Sequence, residues 1–308
     1  MTAPRLVCLG NFTIDDVVLP DLTERPGCTG GDALYATLAA RPWQPATELV
    51  APIGSDFPAS IAQAMAREGL NDAGFARRDL PTLHNRVEYF ADGGRKWTLF
   101  AKEGAFDALS PLPGDIPASY LEADAFMILA MTLSGQQRLV DDLTARPGKL
   151  VALDPQEDYI RGNEAAILEM IAKVDIFLPS AEEVVRLLGT SDWLAAARRF
   201  AALGPRLVVI KLGEDGCLVH EAATGRTTRV PAYAVDRVVD TTGAGDSFCG
   251  AFMAAYLQDP DAVRAARAGA VAASVTVQGY GVDPLFAADP AEMRRRFEAW
   301  APDCPQIA

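Results

Sequence analysis

The chain has 308 residues, half of them hydrophobic, with a formal net charge of −13. That composition allows a sizeable core in one large domain or two modest ones, and disfavours nucleic acid because no basic patch offsets the negative charge. Two histidines, His84 and His220, and five scattered cysteines without C-x-x-C spacing argue against His-based triads, His-rich metal sites, zinc and a disulfide framework.

"MTAPRLVCLGNF" lacks a charged-then-apolar signal pattern and enters a strand over 5–10 directly. No apolar run is long enough for a transmembrane helix, so a cytoplasmic enzyme with no membrane partner is expected. Further strands are expected over 48–54, 125–130, 149–154, 175–179 and 206–213, each a short, nearly continuous apolar run. Between them lie helical patterns. Over 56–70, Ile61, Met65 and Leu70 mark one apolar face. Over 180–189, Ser180 followed by Glu183 reads as a capping box, and Gly189 as a stop. The basic run "RRRF" at 294–297 sits on an acidic C-terminal helix and reads as a solvated face. Strand–helix alternation of this kind predicts a parallel sheet covered on both faces.

Two stretches break the rhythm. "TIDDVVLPD" (13–21) and "NRVEYFADGGRKWTLF" (85–100) alternate apolar and polar residues, the second around a hairpin turn at Asp92-Gly93-Gly94. Such strands suit a small separate sheet. The two-residue period puts Val87 and Tyr89 on one face, with Glu88 and Phe90 on the other. Segments before and after the first helices cannot make a sequential domain, so this sheet reads as a lid.

The stretch "VVDTTGAGDSFCGAF" (238–252) carries the chemistry. Gly243 and Gly245 permit backbone angles closed to other residues, and Phe248, Phe252 and Ala255 behind them keep helical spacing. The loop therefore delivers a helix N-terminus, with free N–H groups and a positive dipole end, to an anionic oxygen. Asp246 lies on the same turn. This suits phosphoryl transfer, where catalysis rests on stabilising the equatorial oxygens and aligning the attacking group. A glycine-rich turn with Asp246 as a first-turn capping residue gives the same short pattern. No Walker A loop occurs, and Phe248 stands where a dinucleotide fingerprint needs glycine.

Taken whole, "DTTGAGDSFCGAF" resembles the C-terminal signature of the ribokinase-like (PfkB) carbohydrate kinase family. The resemblance implies a single kinase domain over 1–308. Its fold would be a three-layer α/β/α ribokinase-like one, with a mostly parallel central sheet and a small β-sheet lid whose strands are inserted at about 13–29 and 84–101. It also implies Asp246 as general base and Gly243, Ala244 and Gly245 as the anion hole. "GNFTIDDVV" and "GCTGGDALYATLAA" resemble the family's acceptor side, implying Asp15, Gly30, Gly31, Asp32 and Tyr35 as substrate-binding residues. Tyr35 stands where many members have Asn. The 51–70 stretch resembles a G-x-D-x-x-G element with Pro58 or Ala59 in place of its last glycine.

"LPSAEEVVRLLG" resembles the N-x-x-E element with Ser180 in place of Asn, implying that Glu183 helps place Mg²⁺; helix capping alone explains it equally. "DPQEDY" keeps only Asp154 of a family element and is given no chemistry. "VIKLGEDGCLV" resembles the nucleotide-side hairpin, implying Gly213 and Gly216 against ATP. Lys211 either contacts the nucleotide phosphates or snorkels from a strand end. "AGAVAASVTVQGYG" (268–281) resembles the helix and loop walling the adenine pocket, although its small residues equally suit helix packing. Asp240 and Thr242 are candidates for a monovalent-cation site such as K⁺. "ADGGRKWTLF" resembles sugar-kinase lids, where Trp97 would stack on a sugar or cover apolar surface, and lids of this kind sometimes pair across a homodimer.

The expectation is an ATP-dependent kinase acting on a hydroxyl of a small sugar or sugar-like substrate. A nucleoside kinase, with Tyr35, Tyr89, Phe90 and Trp97 stacking on a base, is the alternative within the fold. A catalytically silent nucleotide-binding homologue is the alternative outside catalysis.

Overall fold

The structure, a computed structural model, describes residues 3–90, 95–100 and 104–307. The predicted turn at Asp92-Gly93-Gly94 lies outside the described residues, as does the side chain of Trp97. Strands in chain order are β1 (Leu6–Leu9), β2 (Thr13–Val18), β3 (Glu24–Gly30), β4 (Thr47–Val50), β5 (Leu83–Tyr89) and β6 (Arg95–Leu99). They continue with β7 (Ala125–Ile128), β8 (Leu150–Leu153), β9 (Ile176–Phe177), β10 (Leu207–Lys211), β11 (Cys217–Glu221), β12 (Arg226–Val230) and β13 (Gln306–Ile307).

Nine of them form one sheet in the order β13-β12-β11-β10-β9-β8-β7-β1-β4. From β4 to β10 every pairing is parallel; β11, β12 and β13 extend the edge antiparallel. The apolar runs are continuous because the central strands are buried on both faces, and the two-residue period divides them between two cores. Leu6, Cys8, Met127 and Val209 face one layer, built on helices Asp32–Ala40, Ala244–Gln258 and Ala262–Thr276. Val7, Leu9, Phe126 and Val208 face the other, built on Leu133–Thr144, Glu164–Ile171, Ala181–Leu188 and Trp193–Ala201. Phe126 and Phe252 are fully enclosed, and burial of each such ring stabilises the layers by about 1.5–3 kcal/mol. This is the ribokinase-like α/β fold expected from the sequence. Among the described residues no helix is long and apolar enough to cross a membrane.

The small sheet has four strands in the order β3-β2-β5-β6. β2 pairs in parallel with β5, so that Asp15 lies opposite Asn85 and Thr13 opposite Leu83; β6 adds Leu99 opposite Asn85. The alternation reads out as expected: Leu83, Asn85 and Val87 are buried, while Phe90 is 48% exposed. Strand β3 was foreseen only as part of the inserted segment. Its sequence, "ERPGCTG", contains the proline and glycines that ordinarily mark loops. As an edge strand it tolerates them. The strand expected over 13–21 ends at Val18, and β12 and β13 had no clear signal in their sequences.

The capping box at 180–183 is present. Ser180 Oγ accepts the Glu183 N–H at 3.2 Å, and Glu183 Oε2 accepts the Ser180 N–H at 2.6 Å. Gly189 closes the helix with φ 66. "RRRF" lies on helix Pro290–Ala299, where Arg295 and Arg296 pair with Glu292. The five cysteines are free thiols.

Candidate functional site

A cleft of about 1360 Å³ opens where the parallel strands end. Ligands of open α/β sheets gather at these carboxyl ends. Asn11 follows β1, Asp154 follows β8, Ser180 follows β9 and Lys211 ends β10, and all four line the cleft. The N-termini of helices Asp32–Ala40 and Ala244–Gln258 point to the same end, and Thr13, Asp15, Asn85 and Leu99 of the small sheet form a wall.

Helix Ala244–Gln258 begins after Gly243, whose φ of 74 is the left-handed conformation a side chain resists. A Cβ on Gly243 would stand 2.3 Å from the ring of Tyr35. The loop therefore rests directly on that ring. The Ala244 N–H turns back to the Thr241 carbonyl at 3.2 Å, which engages one of the three predicted anion-hole positions within the loop. Beyond it the helix turns its first residues and the positive end of its dipole into the cleft. Asp246 lies on this turn and lines the cleft. Across from it, Asp32 opens its own helix. Burial and the charges of Asp246 and Asp154 push its carboxyl well above the ordinary range.

Tyr35 is only 2% exposed and its hydroxyl has no hydrogen-bond partner. It stands behind the loop and supports it, which leaves little of the ring for stacking on a base. Tyr89 is also engaged elsewhere: its hydroxyl meets Thr242 Oγ1 at 3.0 Å and its ring packs on Tyr280 with centroids 5.4 Å apart. Arg25 of β3 lies over the same Tyr280 ring at 5.5 Å. The small sheet thus touches the glycine loop and the 280 loop together. Asp240 is buried and takes the Thr242 N–H on Oδ1 at 2.8 Å.

Lys211 does not snorkel. Its side chain is 13% exposed, and Nζ lies 2.6 Å from Asp154 Oδ2 and 3.4 Å from Cys249 Sγ. Burial alone would lower its pKa, but the Asp154 carboxylate beside it outweighs that and raises it. Asp154, given no chemistry from the sequence, is therefore the buried counter-ion of the site, and its Oδ1 has no partner. Glu183 is held near both. Burial and the Asp154 charge push its carboxyl up to about 8, against the pull of Lys211 and Ser180. Asp154 Oδ1 is a hard oxygen donor that suits Mg²⁺, and Glu183 becomes one on giving up its proton. No group of three His, Cys, Asp or Glu able to hold a metal by itself occurs among the described residues.

At the other end, Asp15 is 6% exposed, accepting from Asn85 Nδ2 at 2.9 Å and from Thr13 Oγ1 at 3.3 Å. A Cβ on Gly30 would fall 2.2 Å from Asp15 Oδ2, so only glycine leaves room for the carboxylate there. Gly31, at φ 110, lies against the backbone of Asn11 and Phe12. Asn11 is buried, and its Nδ2 has no partner. A buried donor without an acceptor is costly unless a ligand supplies one.

Beyond this polar row the wall turns apolar. Leu99 faces Asn85, Leu83 packs with Phe106, and the Phe106 ring stacks on Tyr159 at 6.4 Å and 8°. Phe106 and Tyr159 carried no signal in the sequence, because their meeting depends on two loops far apart in the chain. Gly213 (φ 60) has open space around it, whereas Gly216 is packed against the Val230 carbonyl; both line the cleft. Ala270, Ala273 and Ser274 of helix Ala262–Thr276 complete that side.

Burial pushes the Asp15 carboxyl up to about 6, against the hydrogen bonds from Asn85 and Thr13. A raised carboxyl pKa means the proton is held until higher pH, so Asp15 is an anionic double acceptor above about 7 and neutral below about 5. The KM for the hydroxyl-bearing ligand should therefore climb as pH falls through 6. Asp15→Asn should raise it by about tenfold or more above pH 7, match the wild type more nearly below pH 5, and so flatten the profile. Wild-type KM constant from pH 5 to 8 would remove Asp15 from ligand binding.

Residues 28–287 match the model of the pfkB family of carbohydrate kinases. A cytidine kinase of Thermococcus kodakarensis is 32% identical over 260 residues, covering 82% of this chain and 88% of that protein. A deoxyribokinase of Salmonella typhi is 35% identical over 267 residues, with 84% of each chain covered. Among solved structures, a putative ribokinase II of E. coli in complex with ATP and Mg²⁺ superposes with a TM-score of 0.78 at 20% identity, over 96% of this chain and 99% of that one.

Proposed function

Since the chain belongs to the pfkB family of carbohydrate kinases and is therefore a phosphotransferase, we propose that it moves the terminal phosphoryl group of ATP to a hydroxyl on the pentose ring of a nucleoside. The apolar shelf of Leu83, Leu99, Phe106 and Tyr159 beside the Asp15–Asn85 row carries this choice of acceptor. A bare sugar has hydroxyls for Asp15 and Asn11 but nothing flat to lay on two stacked rings. A nucleoside has both. The names of the two relatives, a cytidine kinase and a deoxyribokinase, share a pentose ring.

In this reading Asp15 and Asn11 hold the ring, and one hydroxyl points at Asp246. Asp246 takes the hydroxyl proton as the oxygen–phosphorus bond forms. The bond from phosphorus to the β-phosphate oxygen breaks, and ADP leaves. The transferred group is received by the first-turn amides, which are fixed before the reaction and need no reorganisation. Mg²⁺, when bound, neutralises charge on the nucleotide phosphates. Residues 1–308 act as one kinase domain, and the small sheet serves as its lid. Tyr89 on Thr242 and Arg25 on Tyr280 hold the lid against the loop and keep water, a competing acceptor, out.

An ADP-release assay comparing nucleosides with free pentoses tests the acceptor. Nucleosides should be used with kcat/KM about tenfold or more above ribose and deoxyribose, the value of one stacked base. Phe106→Ala should remove most of that margin while leaving the pentose constants within about twofold. Equal or better use of free pentose would return the acceptor to a simple sugar.

A further inference from the structure

We propose that Lys211 is a resident cation of the phosphoryl-transfer centre, touching the terminal phosphate of the bound nucleotide, and that Asp154 is the residue that positions it. This rests on the kinase reading above but goes beyond it, because neither the glycine loop nor the metal requires a lysine here. The geometry points to it on three counts.

The Lys211 ammonium lies 3.5 Å from where a Cβ on Gly245 would stand, beside the first turn that receives the phosphoryl group. On its other side, the Lys211 backbone bridges to Ser180, at the head of the helix that carries Glu183. Lys211 therefore spans the gap between the amide cradle and the carboxylate expected at the metal. Any phosphate chain running from one to the other passes its ammonium.

The pair is also costly as a purely structural device. Lys211 is 13% and Asp154 6% exposed in their side chains. Enclosing two charges loses hydration that their attraction barely returns, so such a pair is weak evidence for stability. The cost is explained if the ammonium has to be held ready for an anion. A lysine on four methylenes would otherwise wander, and Asp154 removes that freedom through one oxygen at 2.6 Å. Its other oxygen, buried and unpartnered, is left for a ligand-borne donor or for the nucleotide's ion.

Titration calorimetry of ATP, ADP and AMP in EDTA, alongside steady-state kinetics, tests the assignment. Lys211→Met should weaken ATP binding about tenfold or more with AMP affinity changed by less than twofold. It should lower kcat by about a hundredfold with the acceptor KM little changed. Lys211→Arg should restore part of both. Asp154→Asn should lower kcat by about tenfold and erode the same ATP-over-AMP preference, which a merely structural role would not move.

Lys211→Met strands a buried carboxylate, so the neutral pair K211M/D154N is measured with it. The same loss of ATP-over-AMP preference in that folded variant supports the assignment. A preference equal to wild type in folded Lys211→Met or in the folded double variant overturns it. Wild-type protein that binds ATP over AMP through Lys211, yet phosphorylates no nucleoside or pentose, would sink the functional reading and leave this one standing.

Discussion

Asp246→Asn is expected to lower kcat by about a thousandfold, with KM for ATP and for the acceptor changed by no more than a few-fold. General-base residues contribute about 10²–10⁴ in rate. The exchange keeps the shape of the side chain and the first turn of helix Ala244–Gln258 on which it stands. What it removes is the place where the acceptor proton goes. A kcat within about tenfold of wild type would mean that the proton leaves by another route. A lost kcat with equally lost nucleotide binding would mean that Asp246 holds the loop and does no chemistry.

The second large effect is expected at Gly243→Ala. The added Cβ would meet the Tyr35 ring at 2.3 Å, and the backbone would keep an L-residue at φ +74. Neither strain relaxes easily, because Tyr35 sits on helix Asp32–Ala40, packed in the core. The first turn must shift, and the amides that receive the phosphoryl group shift with it. A displacement of about 1 Å at a reacting centre costs about a hundredfold, so kcat/KM for ATP should fall by that order. The melting temperature should fall too, since overpacking typically costs about 1–3 kcal/mol. The double variant G243A/Y35L relieves the clash but not the backbone angle, and should recover part of the activity. Full activity in Gly243→Ala, measured by ADP release, would show that the loop is not held rigid by the ring beneath it.

The parts of the molecule legible in the sequence are those written in local pattern. Continuous apolar runs gave the parallel strands because those strands are buried on two faces. The Ser180–Glu183 box and Gly189 bounded a helix because capping is settled within a few residues. The loop at 240–246 was legible because its glycines, its aspartate and the helix behind it are contiguous. Strand β3 was less so, since edge pairing with β2 overrides what its proline and glycines prefer.

Within the site, the least legible features were contacts across the fold. Asp154 and Lys211 are 57 positions apart, and only the adjacency of β8, β9 and β10 brings them together. Phe106 and Tyr159 meet through two loops. Tyr35, read as a departure on the acceptor side, turns out to lie under the glycine loop, because its helix crosses helix Ala244–Gln258. Periodicity gives the face a residue occupies and does not say which residue it will touch.

Every role proposed above depends on phosphoryl transfer taking place at the mouth of helix Ala244–Gln258. A crystal structure with a non-hydrolysable ATP analogue and a nucleoside tests it most directly. The terminal phosphorus should lie on the first-turn amides at 245–246, with the acceptor oxygen between it and the Asp246 carboxylate at about hydrogen-bonding distance. An analogue whose terminal phosphate lies away from that turn, with the acceptor turned from Asp246, would contradict it.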